Sequence, residues 1–176
     1  INPGDNVFSL ALDPEGWRLF AGLGDGGIMV LNTETREEQA TLQGHTSYVD
    51  TFVVSEGRLL SGSKDGTIRV WSLATLQCTR TVQAGGSVGG IVMHDGKLIA
   101  GVEETMLKVW DAETWELQRT LEGVHEGGDG YIMPMVVSDN KLISASYASI
   151  RLKVFNMETW EREHTIEATS AFSHLS

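Results

Sequence analysis

The sequence predicts an all-β fold built from four consecutive four-stranded antiparallel sheets, stacked face against face. Three observations predict it. First, apolar residues recur in four aligned sets: Val7, Ile28, Leu31, Leu42; Val49, Ile68, Trp71, Val82; Val88, Leu107, Trp110, Leu121; and Ile132, Leu152, Phe155, Ile166. The third members stand at 31, 71, 110 and 155, so the pattern steps by 40, 39 and 45 residues, the signature of a repeat architecture. Second, short runs rich in β-branched and aromatic residues are bounded by Asp-Gly and Glu-Gly turns. Third, no stretch sustains the 3.6-residue periodicity of a helix.

The second unit shows the strands best. Tyr48 to Val54 reads as the first strand, and Ser55-Glu56-Gly57 as the turn after it. Arg58 to Ser63 is the second, followed by the turn Lys64-Asp65-Gly66. Thr67 to Ser72 alternates strictly, with Ile68 and Val70 on one side and Arg69 and Trp71 on the other. Leu76 to Val82 is the fourth. The same reading places the four units at about 7–42, 48–82, 87–121 and 131–166, and the surplus of the last lies in Gly123 to Gly130 and near Tyr147 to Ile150. At 167–176 a further unit begins, since Ala171-Phe172-Ser173-His174-Leu175 mimics Val7-Phe8-Ser9-Leu10-Ala11. A sheet that is apolar on both faces must be covered on both, so each unit is expected to sit between neighbours as a propeller blade. That burial, at about 25 cal/mol per Å² of apolar area, would be the main stabilising contribution.

The stretch from Gly44-His45 to Leu60-Ser61-Gly62-Ser63-Lys64-Asp65-Gly66-Thr67-Ile68-Arg69-Val70-Trp71-Ser72 resembles the WD repeat, and Lys108-Val109-Trp110-Asp111 restates its ending. Leu31 and Phe155 replace the tryptophan in units one and four. The resemblance implies a β-propeller and a hydrogen-bonded structural tetrad of His45, Ser61, Asp65 and Trp71. An indole N–H only donates and a carboxylate only accepts, so Ser and His can relay between them. Unit three keeps Trp110 but has Ala100 and Glu104 at the Ser and Asp positions. Unit four offers Ser144 and His125 without the Asp, and unit one has Asp25 with Ala21 and Leu31. Only the second blade is therefore expected to carry the whole network and to be the most rigid.

The same resemblance implies a non-catalytic protein-interaction scaffold that assembles a complex through its loop rims. One rim, formed by the turns between second and third strands and by the inter-blade loops, carries Tyr48, Lys64, Glu103, Glu104, His125, Asp129, Tyr131 and Tyr147. Tyrosine gives large contact area at small entropic cost, and the acidic members favour a basic partner. The opposite rim holds Thr35-Arg36, Thr75-Leu76, Thr114-Trp115 and Thr159-Trp160 at one equivalent position, where many WD repeats carry Gly. Trp115 and Trp160 there either pack on adjacent strands or form a second contact patch. Two narrower roles stay open: a substrate-recognition module of a ubiquitin ligase, and a structural component of a cytoskeletal or ciliary assembly.

Composition bounds the chemistry. The formal charge of −11 and a pI near 4.8 make nucleic acid a poor ligand, because phosphate binding is driven by Lys and Arg. The lone Cys78 excludes an internal disulfide framework and a cysteine zinc site, which fits an intracellular compartment, cytoplasmic or nuclear. No apolar run is long enough to cross a bilayer, and the first residues show no signal peptide. No cofactor and no metal are expected: Gly22-Leu23-Gly24-Asp25-Gly26-Gly27 lacks a P-loop lysine, and His125-Glu126-Gly127-Gly128-Asp129-Gly130 has too few ordered ligands for calcium. Ser61, His45 and Asp65 have the composition of a catalytic triad, but no nucleophile elbow surrounds the serine. A propeller enzyme would need ionisable residues clustered in the central channel, and the sequence identifies none. Four blades are fewer than most rings of this family contain. Three readings follow: a piece of a longer propeller, self-association of two chains into an eight-bladed ring, or a four-bladed monomer.

Overall fold

The computed structural model describes residues 6–103, 105–125, 132–146 and 151–167, with the backbone alone at 132–134. These form sixteen strands in four sheets, each a simple antiparallel meander. Blade one comprises β1 (Val7–Leu12), β2 (Arg18–Leu23), β3 (Ile28–Asn32) and β4 (Glu38–Leu42). Blade two comprises β5 (Val49–Ser55), β6 (Arg58–Ser63), β7 (Thr67–Ser72) and β8 (Cys78–Gln83). Blade three runs through β9 (Val88–His94), β10 (Lys97–Val102), β11 (Met106–Asp111) and β12 (Leu117–Leu121). Blade four runs through β13 (Ile132–Ser138), β14 (Lys141–Ser146), β15 (Arg151–Asn156) and β16 (Arg162–Glu167).

The first strands β1, β5, β9 and β13 lie against one another in series and form the inner wall. The fourth strands are outermost and largely exposed; in blades one and two only the last apolar residue, Leu42 or Val82, is buried. Between these limits each sheet is covered on both faces. Phe20, Ile28 and Val30 of blade one pack with Leu59 and Trp71 of blade two. Leu60, Ile68 and Val70, on the other face of blade two, pack with Leu98 and Trp110 of blade three. Ile99, Leu107 and Val109 then meet Leu142 and Phe155 of blade four. Period-two alternation thus feeds two different cores from one strand, which is why the sequence is apolar on both phases. We call the side of a blade turned to the preceding blade its leading face, and the other its trailing face. Among the described residues no blade covers the leading face of blade one: Leu10 and Leu12 are 62% and 55% exposed, although Ala21 and Met29 on the same face are buried. Nor does one cover the trailing face of blade four, where Val136 and Ile166 are about half exposed.

Blade contacts are close enough to dictate glycine. A Cβ at Gly26, whose φ is +95°, would collide with the carbonyl of His45 in the linker to blade two. The run Gly22 to Gly27 around it is a hairpin turn, closed by the Leu23 N–H on the Gly27 carbonyl and by Gly27 N–H on Asp25 Oδ1.

The turns between third and fourth strands share one unusual geometry. Arg36, Leu76, Trp115 and Trp160 all have positive φ, at 63°, 58°, 64° and 60°. In each case the N–H donates to the carbonyl four residues earlier, on Asn32, Ser72, Asp111 and Asn156 respectively. Those same four residues accept backbone N–H groups on their side chains, which fixes the turn. This geometry corrects the fourth strand of unit two: Leu76 belongs to the turn, and pairing begins at Cys78, opposite Trp71.

Candidate functional site: the rim above the second blade

The rim rests on a hydrogen-bonded chain inside blade two. Ser61 lies in the middle of β6 and Trp71 near the end of β7, on the leading face; Trp71 Nε1–H donates to Ser61 Oγ at 2.9 Å. Ser61 Oγ is 2.7 Å from His45 Nε2, and His45 Nδ1 is 2.9 Å from Asp65 Oδ2. Because the indole only donates and the carboxylate only accepts, the satisfying assignment is a Ser61 hydroxyl donating to Nε2 and an Nδ1–H donating to Asp65. Thr67 Oγ1 donates to Asp65 Oδ1 at 2.6 Å, and the Thr46 N–H reaches Oδ2 at 3.0 Å. Burial holds the His45 pKa below the ordinary histidine value, against the pull of Asp65, so the ring is neutral as the assignment requires. Burial alone would raise the pKa of Asp65; hydrogen bonds from Thr67, Thr46 and His45 outweigh it and hold the carboxylate below its usual range. Ser61 is completely buried and its oxygen is already engaged by Trp71, so the triad-like set is inaccessible to a substrate carbonyl.

Above this chain sits an exposed aromatic pair. Phe8, on β1, and Tyr48, just before β5, have ring centroids 4.6 Å apart and remain 43% and 39% exposed. The rings lie over Gly24, where a Cβ would come within 3.1 Å of both, so a larger residue in the β2–β3 turn would push the rings aside by a few tenths of an ångström. Lys64 follows β6; its N–H donates to the Tyr48 carbonyl and its Nζ stands 4.8 Å from the centre of the Tyr48 ring. Asp50 is two residues beyond Tyr48. Burial pushes its pKa up, and the nearby charge of Lys64 opposes that in part.

Phe8 and Asp50 are placed by the same device. In β1 pairing jumps from Val7–Leu23 to Ser9–Gly22, and in β5 from Val49–Ser63 to Thr51–Gly62, leaving Phe8 and Asp50 as bulge residues with no cross-strand partner. In β9 the bulge falls on Gly89. A bulge re-aims the side chain it carries. Val49 packs toward blade one, and Thr51 lies against Val88 of blade three at the position of Gly62. The residue between them is therefore turned out of both packed faces, at the rim end of the inner wall. Sequence patterning did not identify Phe8 or Asp50. The one available signal was that each follows an aligned apolar residue, Val7 or Val49.

The other expected contact residues are dispersed. Glu103 is exposed, with positive φ, and its Oε1 accepts the Ser87 N–H at 3.2 Å. His125 is corrected from rim to interior: it is 1% exposed, in the linker position that His45 holds in blade two, with Nε2 3.0 Å from Ser144 Oγ. The linker is pinned there by the Val124 N–H on the Thr105 carbonyl, which pulls the ring under the turn. Glu104, Asp129, Tyr131 and Tyr147 lie outside the described residues. On the opposite rim Trp115 is partly buried between blades, with Arg58 and Arg80 guanidiniums 5.8 and 5.6 Å from its ring. Trp160 is 8% exposed and packs into the junction of blades three and four. Cys78 is exposed on β8. Among the described residues no group of three or more His, Cys, Asp or Glu could hold a metal ion.

Radially stacked four-stranded blades, with one leading face tied by an indole–hydroxyl–imidazole–carboxylate chain, define a propeller of the WD class. The comparisons agree. The family described as "WD domain, G-beta repeat" matches residues 36–72, the stretch that ends with β7 and holds His45, Ser61, Asp65 and Trp71. It is 42% identical over 79 residues to "THO complex subunit 6" of Drosophila melanogaster, a match covering 44% of this chain and 23% of that protein. It is 35% identical over 69 residues to "Pre-mRNA-processing factor 19" of Mus musculus, covering 38% of this chain and 14% of that one. The chain thus matches less than a quarter of the length of these curated relatives. Among solved structures it shares the fold of a chain in the mitotic checkpoint complex, with TM-score 0.82 at 20% identity, covering 97% of this chain and 53% of the other.

Proposed function

We propose that this chain is a non-catalytic scaffold that binds partner proteins across the rim carrying Phe8, Tyr48 and Lys64, within a multisubunit assembly. The observation that carries this reading is the aromatic pair left half exposed where blades one and two meet. Aromatic side chains held in place without loss of their own freedom on binding are the groups from which interface hot spots are made. One relative is named as a subunit of a complex and another as a pre-mRNA-processing factor, which supports an assembly role and a nuclear setting. The net charge of −11 favours protein over nucleic acid as the direct contact. The test is affinity purification of the tagged chain from cells, comparing it with Tyr48→Ala and Phe8→Ala. Partners that co-elute in stoichiometric amount and are lost from both variants, with thermal unfolding unchanged, are expected. Retention of every stoichiometric partner by both variants overturns the reading.

A second mode of association is favoured by the two uncovered apolar faces, those of blades one and four. They are the counterparts of faces that meet at the three internal junctions, so two copies could pair them head to tail and close a ring. Light scattering on the purified chain decides: twice the chain mass supports ring closure, and the mass of one chain excludes it.

A further inference from the structure

We propose that the feature this rim reads is an arginine side chain of a linear peptide, held on Asp50 and on the Phe8–Tyr48 pair, and that Lys64 occupies its place until it binds. The proposal rests on the reading of this rim as a protein-binding surface and names the chemistry of the partner.

Three elements of a cation site converge here. Asp50 supplies a carboxylate drawn partly out of water by a bulge that no cross-strand partner constrains. Phe8 and Tyr48 supply two partly exposed rings, with centroids 4.6 Å apart, beside the β2–β3 turn at Gly24. A ring face attracts a cation, and a guanidinium, being planar, stacks on such a face while offering a fork of donors to a carboxylate. The third element is a resident cation. Lys64 Nζ stands 4.8 Å from the Tyr48 ring centre, and its charge is felt at Asp50. The protein thus already satisfies the site with an ammonium from its own turn. An ammonium on a flexible stem is easily displaced by a group that both stacks and makes paired hydrogen bonds. The neighbouring blade does not offer this set: the bulge carries Gly89 and the turn carries Glu103. The overall negative charge draws basic segments toward the surface.

The test uses three blocked tripeptides, acetyl-Ala-Arg-Ala-amide, its citrulline counterpart and its glutamate counterpart, titrated into the isotopically labelled 176-residue chain and followed by amide chemical shifts. The arginine peptide is expected to shift the amides of Gly24, Tyr48, Asp50 and Lys64 to saturation. The citrulline peptide, which keeps the shape and loses the charge, should bind at least about tenfold more weakly, and the glutamate peptide not at all. Asp50→Asn should abolish the arginine response. Lys64→Ala should tighten it by about threefold or more, because the competitor is gone. Equal responses to arginine and citrulline, or arginine shifts centred elsewhere, overturn the proposal even if a variant fails to fold. So does weaker arginine binding by a folded Lys64→Ala chain. Loss of cellular partners from Tyr48→Ala together with no arginine response would reject the arginine and leave the rim's binding role standing.

Discussion

Blades one and two present the same face to what precedes them, in opposite chemistries. Where blade two has Ser61 and Trp71, blade one has Ala21 and Leu31. Where blades two, three and four carry a cation at one register position, Arg69, Lys108 and Lys153, blade one carries Met29. Lys108 shows what that cation does: its Nζ donates to the Ala84 carbonyl of the linker at 2.6 Å. The turn position reverses in the other sense, since Leu76, Trp115 and Trp160 fold back on the preceding blade and Arg36 is exposed. The difference teaches when a polar chain is worth having. On blade two, blade one seals the indole and hydroxyl from water, so each bond is made in a low dielectric and each missing partner would be costly. At the partly exposed position of Leu31 in blade one, an indole would have no preceding blade among the described residues to seal it from water.

The sharpest way to break this comparison is truncation of the paired residues. Trp71→Ala removes a side chain that is 2% exposed and leaves both a cavity and an orphaned Ser61, so a loss of about 3–5 kcal/mol is expected in urea denaturation. Leu31→Ala, on a half-covered surface, should cost less than about 2 kcal/mol. Equal losses would mean that the leading face of blade one is sealed in solution. One atom tests the polar chain more finely. Ser61→Ala leaves buried His45 Nε2 and Trp71 Nε1–H without their partner, at about 1–3 kcal/mol. Ala21 is itself buried, so Ala21→Ser adds a hydroxyl where no such partners wait and should also destabilise, by about 1–3 kcal/mol. If Ser61→Ala proves neutral, the chain contributes nothing to stability.

Titration tests blade two and its linker more closely. The folded-state pKa of His45 is depressed by burial, so the unfolded chain takes up the proton first as pH falls. The stability due to the neutral ring is complete above its unfolded value of 6.5 and is lost as pH falls from there through the depressed folded value. Asp65 repeats this lower down, from 3.8 downward, since its folded pKa is also depressed. Asp50 has the opposite sign: its raised pKa contributes stability below 3.8 that is lost as pH rises through the folded value. His45→Gln should flatten the decline of unfolding free energy just below pH 6.5, at some cost in stability at neutral pH. An unchanged slope in that variant would assign the decline to another group.

The blades were legible because their determinant is local and periodic. Four apolar residues per unit, spaced by strand and turn lengths, report two-sided burial directly, as Ile68 and Trp71 do by falling into different cores. The chain from Trp71 to Asp65 was expected only through the resemblance to the WD repeat, with the donor and acceptor types of its residues giving the order of the bonds. What patterning did not reveal were features set by one strand against another. A bulge adds a residue without changing the residue types around it, so Phe8 and Asp50 looked like ordinary strand positions. His125 was read both as a rim residue and as the partner of Ser144, and its burial against Ser144 decides for the second. The sense of the third-to-fourth strand turn was partly visible, because an equivalent position that favours Gly elsewhere carries Arg, Leu, Trp and Trp here.

That turn yields the smallest expected effect. All four residues hold φ near +60°, where an L side chain is strained and glycine is not. Arg36→Gly relieves the strain and gives up an exposed side chain that packs on nothing in blade one. Glycine also loosens the unfolded chain, which offsets part of the gain, so a net stabilisation below about 1 kcal/mol is expected. Trp115→Gly relieves the same strain but removes the ring that lies between Arg58 and Arg80 across the junction of blades two and three. There the lost packing outweighs the relieved backbone, and a net destabilisation on the order of 1 kcal/mol should appear. Opposite signs at two turns of identical geometry would show that side-chain contact with the preceding blade is what keeps glycine out. Equal signs would show that the turn alone decides.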